Sequence, residues 1–518
     1  MINEMKTFLI VPSVPTPNGP LHLGHIGGPY LSADILARYL RMRGNRALII
    51  SGTDSYESYV TARASKENQP ISDICNYYHH QIDKDLKAMQ IEMNAFVNPL
   101  SEQWDQMYRQ WHYHILHKLR NQGSIQEINE IVLWDHHSKR YLTGCWLNGQ
   151  CPLCRANVTG YFCENCGGHF RPEEVVHQYS YAVHTVKNLF LCVPTTGLVL
   201  KGINYSIRER YQHYIRQQNG LLRLTANSDW GLPYSESARL FNYGFMFAYF
   251  LMLGEIARVM LGASVNAFQA DSDIVTIASF GVDNAVPFLA SAHGITAACQ
   301  EYKTFDYYLV NYFYHLEGSK FSTSRRHAVW VNDIVDNKGL TSDIVRFYLA
   351  SINVREGSGN FSLQDFLSCN LNTRNWIQQR INNVLPVVTL PGSGVMDSVF
   401  MRQLDEILLL QYRALDPEQF APHEVTPLIH AWLEFGNSIA HLSENYFWWL
   451  KGLCLLIYPV MPYTGQQLWE ILGYAGMPRI NGFNERPELP IQRNKQINTN
   501  EINPDLHLRE NKYDKTRT

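Results

Sequence analysis

The feature that most constrains this chain is a strand-to-helix hand-over inside its first forty-odd residues. An apolar, β-prone run, Phe8-Leu-Ile-Val11, enters the loop Pro17-Asn-Gly-Pro-Leu-His-Leu-Gly-His25. A helical pattern from Ile26 to Met42 follows, with apolar residues at Leu31, Ile35, Leu36, Tyr39 and Leu40. A second strand, Ala47-Leu-Ile-Ile50, comes next, and further helices are expected at about 56–66 and 71–90. This βαβ rhythm requires a parallel sheet wrapped by helices, an α/β fold. His22 and His25, three residues apart, fall on one side of the first helical turn. A helix N-terminus offers free N–H groups and a positive dipole, a natural place for phosphate. Gly24 leaves room for a flat ligand to approach the backbone. Two histidines in a Pro/Gly loop also occur on unrelated surfaces, so the rest of the chain must decide.

The 518 residues suggest about three domains and, at 45% hydrophobic content, a large core. A formal net charge of −3 does not announce a nucleic-acid partner, so a local basic patch would have to carry one. No window of about 18 uncharged apolar residues occurs, so no membrane-spanning helix is expected. The start, Met-Ile-Asn-Glu-Met-Lys, lacks a signal-peptide pattern. Ten cysteines do not make a disulfide scaffold in a chain this long. A soluble, cytoplasmic protein is expected.

Residues 123–175 read as an insertion with no long periodic segment. Within it, Cys151-Pro-Leu-Cys154 and Cys163-Glu-Asn-Cys166 form a CxxC-x8-CxxC pattern. Two such turns can present four thiolates to one tetrahedral Zn²⁺. Gly160 and Gly167-Gly168 supply the tight backbone this needs. Redox pairs are the alternative, but neither CxxC sits at a strand-to-helix junction. Four thiolates leave no open position, so the metal is structural. His169 reads as a surface residue. Mixed α/β character returns at 176–330, where Ile274–Phe280 reads as a strand leading into Gly281 and a helix. From Asp343 the pattern is helical, at 343–350, 363–386, 398–413, 425–450 and 451–472. Pro391-Gly-Ser-Gly394 breaks two of these helices apart. The polar stretch from about 483 reads as extended or disordered.

A second loop, Glu317-Gly-Ser-Lys320-Phe-Ser-Thr-Ser324-Arg325, can bend around phosphate oxygens and neutralise them. A pair of phosphate loops, HLGH and GSKFSTSR, with a zinc insertion between them and helices after them, resembles the class I aminoacyl-tRNA synthetases. The first family motif is HIGH and the second KMSKS. The place of the zinc knuckle makes the chain similar to the methionyl-tRNA synthetase family in particular. Gly52-Thr-Asp54, Asp229-Trp-Gly-Leu-Pro233, Ser342–Leu349, Phe361–Phe366 and Leu456–Thr464 resemble family segments in the same order. The resemblance covers about residues 6–475.

That resemblance implies a Rossmann-like HUP catalytic domain (1–122 and 176–342) interrupted by a zinc-knuckle connective insertion (123–175). An all-α anticodon-binding bundle (343–482) and a polar tail (483–518) complete the layout. It implies ATP-dependent activation of methionine or a related amino acid as an adenylate, then transfer to tRNA. Gly19, His22, Gly24, His25, Gly281, Asp283, Lys320, Ser322 and Ser324 would hold ATP, with Mg²⁺ travelling alongside. His22, His25 and Lys320 would stabilise the charge developing on the phosphates. Asp54 would bind the substrate ammonium, although it can equally be a strand-end turn residue. Val14, Thr16, Gly244, Phe247 and Phe288 would complete the amino-acid pocket. Trp448 and Asn382 would meet the anticodon, although the aromatic pair Trp448-Trp449 can equally be bundle core. Monomer is the expected state.

The chain departs from the family pattern mainly at the pocket. Thr16 stands where the family has Tyr, Gly244 where an ungapped alignment puts Trp, and Phe288 follows Pro287 in place of a Phe-His pair. Thr323 replaces the second Lys of KMSKS, a loss worth on the order of 3 kcal/mol, with Arg325 and Arg326 close by in sequence. Three readings stand at this point. They are a methionine–tRNA ligase, a paralogue activating another amino acid for biosynthesis, and a non-catalytic tRNA-binding or regulatory protein.

Overall fold

The computed structural model describes residues 5–163, 165–166, 168–176, 181–321, 327–335, 339–390, 398–439, 445–480 and 485–500. Five parallel strands form the central sheet: β1 (Thr7–Pro12), β2 (Arg46–Gly52), β3 (Ala95–Val97), β4 (Val275–Gly281) and β5 (Tyr307–Asn311). Their order is β5-β4-β1-β2-β3. Leu9 lies opposite Thr276 on one side and Leu48 on the other. Strand β1 is therefore covered on both faces, which is why Phe8–Val11 is continuously apolar instead of alternating. From β1 the chain builds outward through β2 and β3, and only much later fills the other side with β4 and β5. The order thus reverses between β1 and β4. At such a switch point an α/β sheet opens a crevice beyond the carboxyl ends of its strands. The histidine loop leaves β1 into that crevice, and Gly281 ends β4 beside it.

The helix expected from Ile26 to Met42 is divided. Leu23–His25 makes one turn, Ile26–Tyr30 a π-type turn, and Leu31–Met42 the regular helix. Pro29 is the cause: it has no N–H to give an α-helical ladder. Gly28 takes up the bend with ψ −112°. The bend also brings in outside groups. A Cβ on Gly27 would lie 2.8 Å from the Tyr314 ring, and one on Gly28 2.7 Å from Asn311.

The insertion is more regular than its sequence suggests. Ile125–Asp135 is an eleven-residue strand, antiparallel to Ala182–Cys192 from Ile125↔Leu191 to Trp134↔Ala182. Ile125, Ile128 and Ile131 recur every three residues, which hides the period of two that marks a strand. This sheet runs across residue 175. Asn242–Leu261 is long and apolar enough to cross a bilayer, yet 72% of its apolar window is buried inside the fold. There Phe247, Phe250, Phe268 and Phe305 meet edge to face at 4.9–5.4 Å.

The helical half follows from Leu340. The single helix expected over 425–450 is two, Val425–Phe435 and Asn445–Ile457. The first ends in a tight turn at Gly436–Ser438, where the Trp449 ring fills the space a Cβ on Gly436 would take. Trp432 and Trp449 then lock the two helices reciprocally. Each indole N–H donates to the other's backbone carbonyl, at 3.0 and 2.9 Å. Pro391–Gly394 lies outside the described residues. The tail, expected to be loose, is docked as far as residue 500. Leu489 N–H donates to Gly473 O at 3.0 Å, and Ile497 is buried. One apolar anchor in a polar stretch supplies a contact that composition hides.

The two halves meet through a buried charge cluster. Arg346, on Leu340–Ser351, donates from Nη2 to Asp34 Oδ2 at 2.7 Å, with both side chains inaccessible to solvent. It also donates to the carbonyls of Met89, Pro459 and Val460. Arg38 donates to the same Asp34 oxygen at 2.7 Å. Burial opposes the Asp34 charge, but Arg38 and Arg346 outweigh it and hold its pKa below the ordinary carboxylate value. Removing one partner of a buried pair strands the other, at about 3–5 kcal/mol. Arg346→Met should therefore lower the urea midpoint sharply. The triple variant Asp34→Leu/Arg38→Met/Arg346→Met, which leaves no buried charge unpaired, should recover part of the loss. Equal midpoints for Arg346→Met and the unsubstituted chain would show that the cluster does not hold the halves together.

Candidate active site

His22 and His25 are joined before any ligand arrives. His22 caps the turn Leu23–His25, its Nδ1 accepting from His25 N–H at 3.2 Å, and His25 Nδ1 accepts from His22 N–H at 3.5 Å. The rings stack with centroids 3.7 Å apart and planes 9° from parallel. Because each Nδ1 accepts, each proton sits on Nε2, so each ring keeps one N–H donor there. Burial, then the neighbouring His25, keep His22 well below its ordinary pKa. His25 stands in the open crevice; desolvation, then Lys320, bring it down to about 4. Both rings are therefore neutral at pH 7.

The second loop is brought against the first. Tyr314–Leu316 and Ser319–Lys320 form a hairpin closed by Glu317 and Gly318, with φ +50° and +79°. Both turn residues are left-handed, the geometry that matches the twist of a tight hairpin. Phe321 lies 5.1 Å from the His22 ring and would meet a Cβ on Gly24 at 3.1 Å, so Gly24 is required for the two loops to touch. Beyond the loop, Leu23 N–H donates to Val329 O at 2.9 Å and Val331 N–H to Leu21 O at 3.2 Å. Lys320 Nζ rests 3.8 Å above the Phe313 ring. Ser322, Ser324, Arg325 and Arg326 lie outside the described residues. A carboxylate that sequence reasoning missed secures the whole loop. Asp85 Oδ2 accepts Leu21 N–H at 2.8 Å, and burial pushes this acid up to about 6.

Asp54 follows β2 and is buried, its N–H donating to Pro15 O at 2.9 Å. Asn242 Nδ2 donates to Asp54 Oδ1. Burial, then the nearby Glu57, raise Asp54 well above the ordinary carboxylate pKa. Next to this pair opens a cavity of about 630 Å³, large enough for a small-molecule substrate. Its near wall is Tyr56, Glu57, Phe241, Asn242, Tyr243 and Asp283. Gly281 caps the helix Val282–Ala298 and Asp283 stands in its first turn. Trp230 steadies the loop after Asp54, its indole N–H donating to Ser55 O at 2.9 Å.

Several expected pocket residues are elsewhere. Gly244 has no room for any side chain, since a Cβ would sit 2.0 Å from Arg223 O. Phe247 belongs to the aromatic core, and Phe288 packs on Phe250 and Phe280 at 5.4 and 5.5 Å. Val14 is buried in that same apolar cluster, and Thr16 and Gly19 lie in the loop between β1 and His22. Asn242 and Tyr243 line the cavity, while Phe245 and the helix after it are buried in the core. Asn242 was legible as the one amide in the otherwise apolar and aromatic run Leu240–Leu251.

The anticodon expectation is also corrected. Asn382 is buried, and its amide exchanges two hydrogen bonds of 2.9 Å with the backbone of Ile497. Trp448 is buried beside Phe447, with Lys451 Nζ 5.6 Å from its ring. Bundle packing, not RNA, surrounds both side chains.

The four knuckle cysteines do converge. All four sulfurs lie within 4.8 Å of one another, with Cys151–Cys166 at 3.7 Å and Cys154–Cys163 at 3.5 Å. A tetrahedron of thiolates at the Zn–S distance has edges of about 3.8 Å, so the donor set fits zinc. Gly160 takes φ +83°, and a Cβ on Gly168 would strike Leu153 at 2.5 Å. His169 is not the surface residue expected. Its Nε2 is shut off from solvent.

Comparison with known proteins agrees with this geometry. The family model for class I tRNA synthetases of the M group matches residues 8–385. The methionine–tRNA ligase of Thermomicrobium roseum is 26% identical, over 89% of this chain and 86% of its own. That of Methanococcus aeolicus is also 26% identical over 73% of this chain, which spans only 56% of the relative's length. A Mycobacterium tuberculosis methionyl-tRNA synthetase, solved with methionyl-adenylate, superposes with a TM-score of 0.65 at 14% identity. The superposition covers 93% of this chain and 96% of that one, and establishes the shared fold. The chain belongs to the class I tRNA synthetase family.

Proposed function

We propose that this chain activates methionine with ATP as an adenylate and transfers the aminoacyl group to tRNA. The observation that carries the reading is the neutral histidine pair, tautomerically set to donate, at the sheet's switch point beside Lys320. In activation the amino-acid carboxylate attacks the α-phosphorus and pyrophosphate leaves. His22 and His25 donate Nε2–H to phosphate oxygens as negative charge gathers there, and Lys320 neutralises the leaving pyrophosphate. Magnesium enters with the nucleotide as part of that substrate. Gly281 and Asp283 face the nucleoside end. Asp54 receives the substrate ammonium, which takes over the place of the Asn242 amide. The buried acid regains its charge against that cation. The knuckle cysteines Cys151, Cys154, Cys163 and Cys166 would hold one Zn²⁺, whose contribution is to fold the insertion and not to react.

The chemistry is checked by ATP–pyrophosphate exchange across an amino-acid panel, followed by charging of total tRNA. Methionine should support exchange, and His22→Ala or Lys320→Ala should slow it by about 10²–10³-fold. Exchange with another amino acid and none with methionine would favour the biosynthetic paralogue, which the polar near wall of Glu57 and Tyr243 would suit. No exchange with any amino acid would overturn the proposal. Asp54→Asn keeps the shape and removes the charge; KM for the amino acid should rise by at least about 30-fold.

The histidines give a pH test. His22 is held well below its ordinary pKa and His25 is brought down to about 4, so between pH 6.5 and about 4 the site keeps His25 neutral and donating. The kcat/KM for ATP should therefore show no inflection near pH 6.5 that disappears in His25→Gln. Zinc is tested by chelation. Stripping the metal, or Cys154→Ser, should release about one zinc per chain and open the segment 142–175 to protease, while far-ultraviolet helicity stays. Metal content that does not change in Cys154→Ser would rule the site out.

A further inference from the structure

The two neighbours of Asp54 lead to a histidine that the chemistry above does not use. Thr53 and Ser55, on either side of Asp54, are both fully buried. Their hydroxyl oxygens lie 3.2 Å apart. Thr53 Oγ1 also lies 3.0 Å from Nδ1 of His79, on the helix Ile71–Ala88. The hydroxyls are thus tied to that helix, while the Asp54 carboxylate meets Asn242. The backbone is held at the same place. Thr53 N–H donates to Val97 O at 2.9 Å, and the Tyr249 hydroxyl to Thr53 O at 3.3 Å. Cys75, one turn before His79 on the same helix, donates its thiol to Ser55 O at 3.7 Å.

Donor counting gives this chain of bonds a direction. A buried hydroxyl carries one proton and needs an acceptor for it. Among the described residues, the Ser55 hydroxyl has one acceptor within reach, Thr53 Oγ1. The Thr53 hydroxyl in turn donates to His79 Nδ1. The reverse direction would leave the Ser55 O–H with nothing to donate to. The imidazole therefore ends the chain as an acceptor, with its own proton on Nε2. Two features keep the ring in that role. It stacks on Phe96, with centroids 4.7 Å apart and planes 16° from parallel, which fixes its rotation. Burial, then His80, bring its pKa down to about 4, so the ring is neutral at pH 7. A binding carboxylate is effective only when its supports hold it in place. We propose that His79 is a positioning residue: through the Thr53 and Ser55 hydroxyls it holds the turn that aims Asp54 at the substrate ammonium. The proposal rests on the ammonium reading of Asp54 above. His79 touches no substrate itself and acts entirely through its neighbours.

The test is steady-state ATP–pyrophosphate exchange on the full chain, with methionine varied. His79→Leu should raise KM for methionine about tenfold and leave kcat and the KM for ATP within about twofold. His79→Asn, whose Oδ1 can accept near the place of Nδ1, should bring KM back to within about threefold of the unsubstituted protein. Thr53→Val breaks the same chain, so it should match His79→Leu, and the double variant should be no worse than either alone. An unchanged KM for methionine in His79→Leu, an asparagine variant no better than the leucine one, or losses that multiply in the double variant would overturn the proposal. So would a fall in kcat together with a rise in both KM values, the mark of a residue that only supports the fold. If His79→Leu does not fold, Thr53→Val decides by the same criteria. Asp54→Asn separates this proposal from the reading beneath it. If its KM for methionine does not rise, the ammonium reading has failed and the role of His79 with it. If it rises while that of His79→Leu does not, the role of His79 alone is overturned. Absence of exchange with every amino acid would end the activation reading, and this proposal with it.

Discussion

The geometry of this molecule depends on the buried contact between Arg346 and Asp34. Asp34 is on the helix that leaves the histidine loop, and Arg346 on a helix that follows the lysine loop. One hydrogen-bonded ion pair therefore joins the supports of the histidine loop and the lysine loop. Charges so deeply buried persist when their counter-charges and hydrogen bonds offset the cost of desolvation. Here the guanidinium reaches a carboxylate and three backbone carbonyls from three separate segments. Asp343 extends the same junction, accepting the Thr464 N–H at 2.6 Å and the Gln90 amide at 2.7 Å. The helical half is thus docked by directional bonds, which specify one placement where apolar contact alone would allow sliding.

The crevice held by that junction combines two neutral histidines with one cation. His22 and His25 are neutral, Asp54 is raised, and Lys320 lies over an aromatic ring. In the proposed reaction charge would arrive with the substrates: phosphates to the histidines and lysine, an ammonium to the aspartate. Groups already oriented in a water-poor site need no reorganisation when charge develops, which is where such sites gain most of their effect. The mutual capping of His22 and His25 is one such preparation. Each ring uses its Nδ1 on the backbone and is left with a single donor on Nε2.

Much of this was legible in order and spacing. Phe8–Val11, the HLGH loop and Ala47–Ile50 announced the parallel sheet, and the paired CxxC turns announced a four-sulfur cluster. These signals are local, since a strand, a capped turn or a metal knuckle is specified by residues close in sequence. The misreadings share the opposite property. Gly244, Phe247 and Phe288 were placed by counting along a helix, and counting cannot say which face meets the cavity. Trp448 and Asn382 looked like RNA contacts, because an aromatic or an amide reads alike in a core and on a surface. His169 looked exposed for the same reason.

By itself, then, the sequence determined the α/β class, the histidine loop after the first strand, the knuckle and the helical second half. Each of these follows from short-range periodicity, turn chemistry or ligand spacing. Only the tertiary structure decided that Phe321 closes on Gly24, that Asn242 occupies Asp54, and that the tail buries Ile497 against Asn382. It also decided that Arg346 reaches Asp34 across more than three hundred residues. Such pairings join segments far apart in the chain, and no local pattern records which distant partner a side chain will meet.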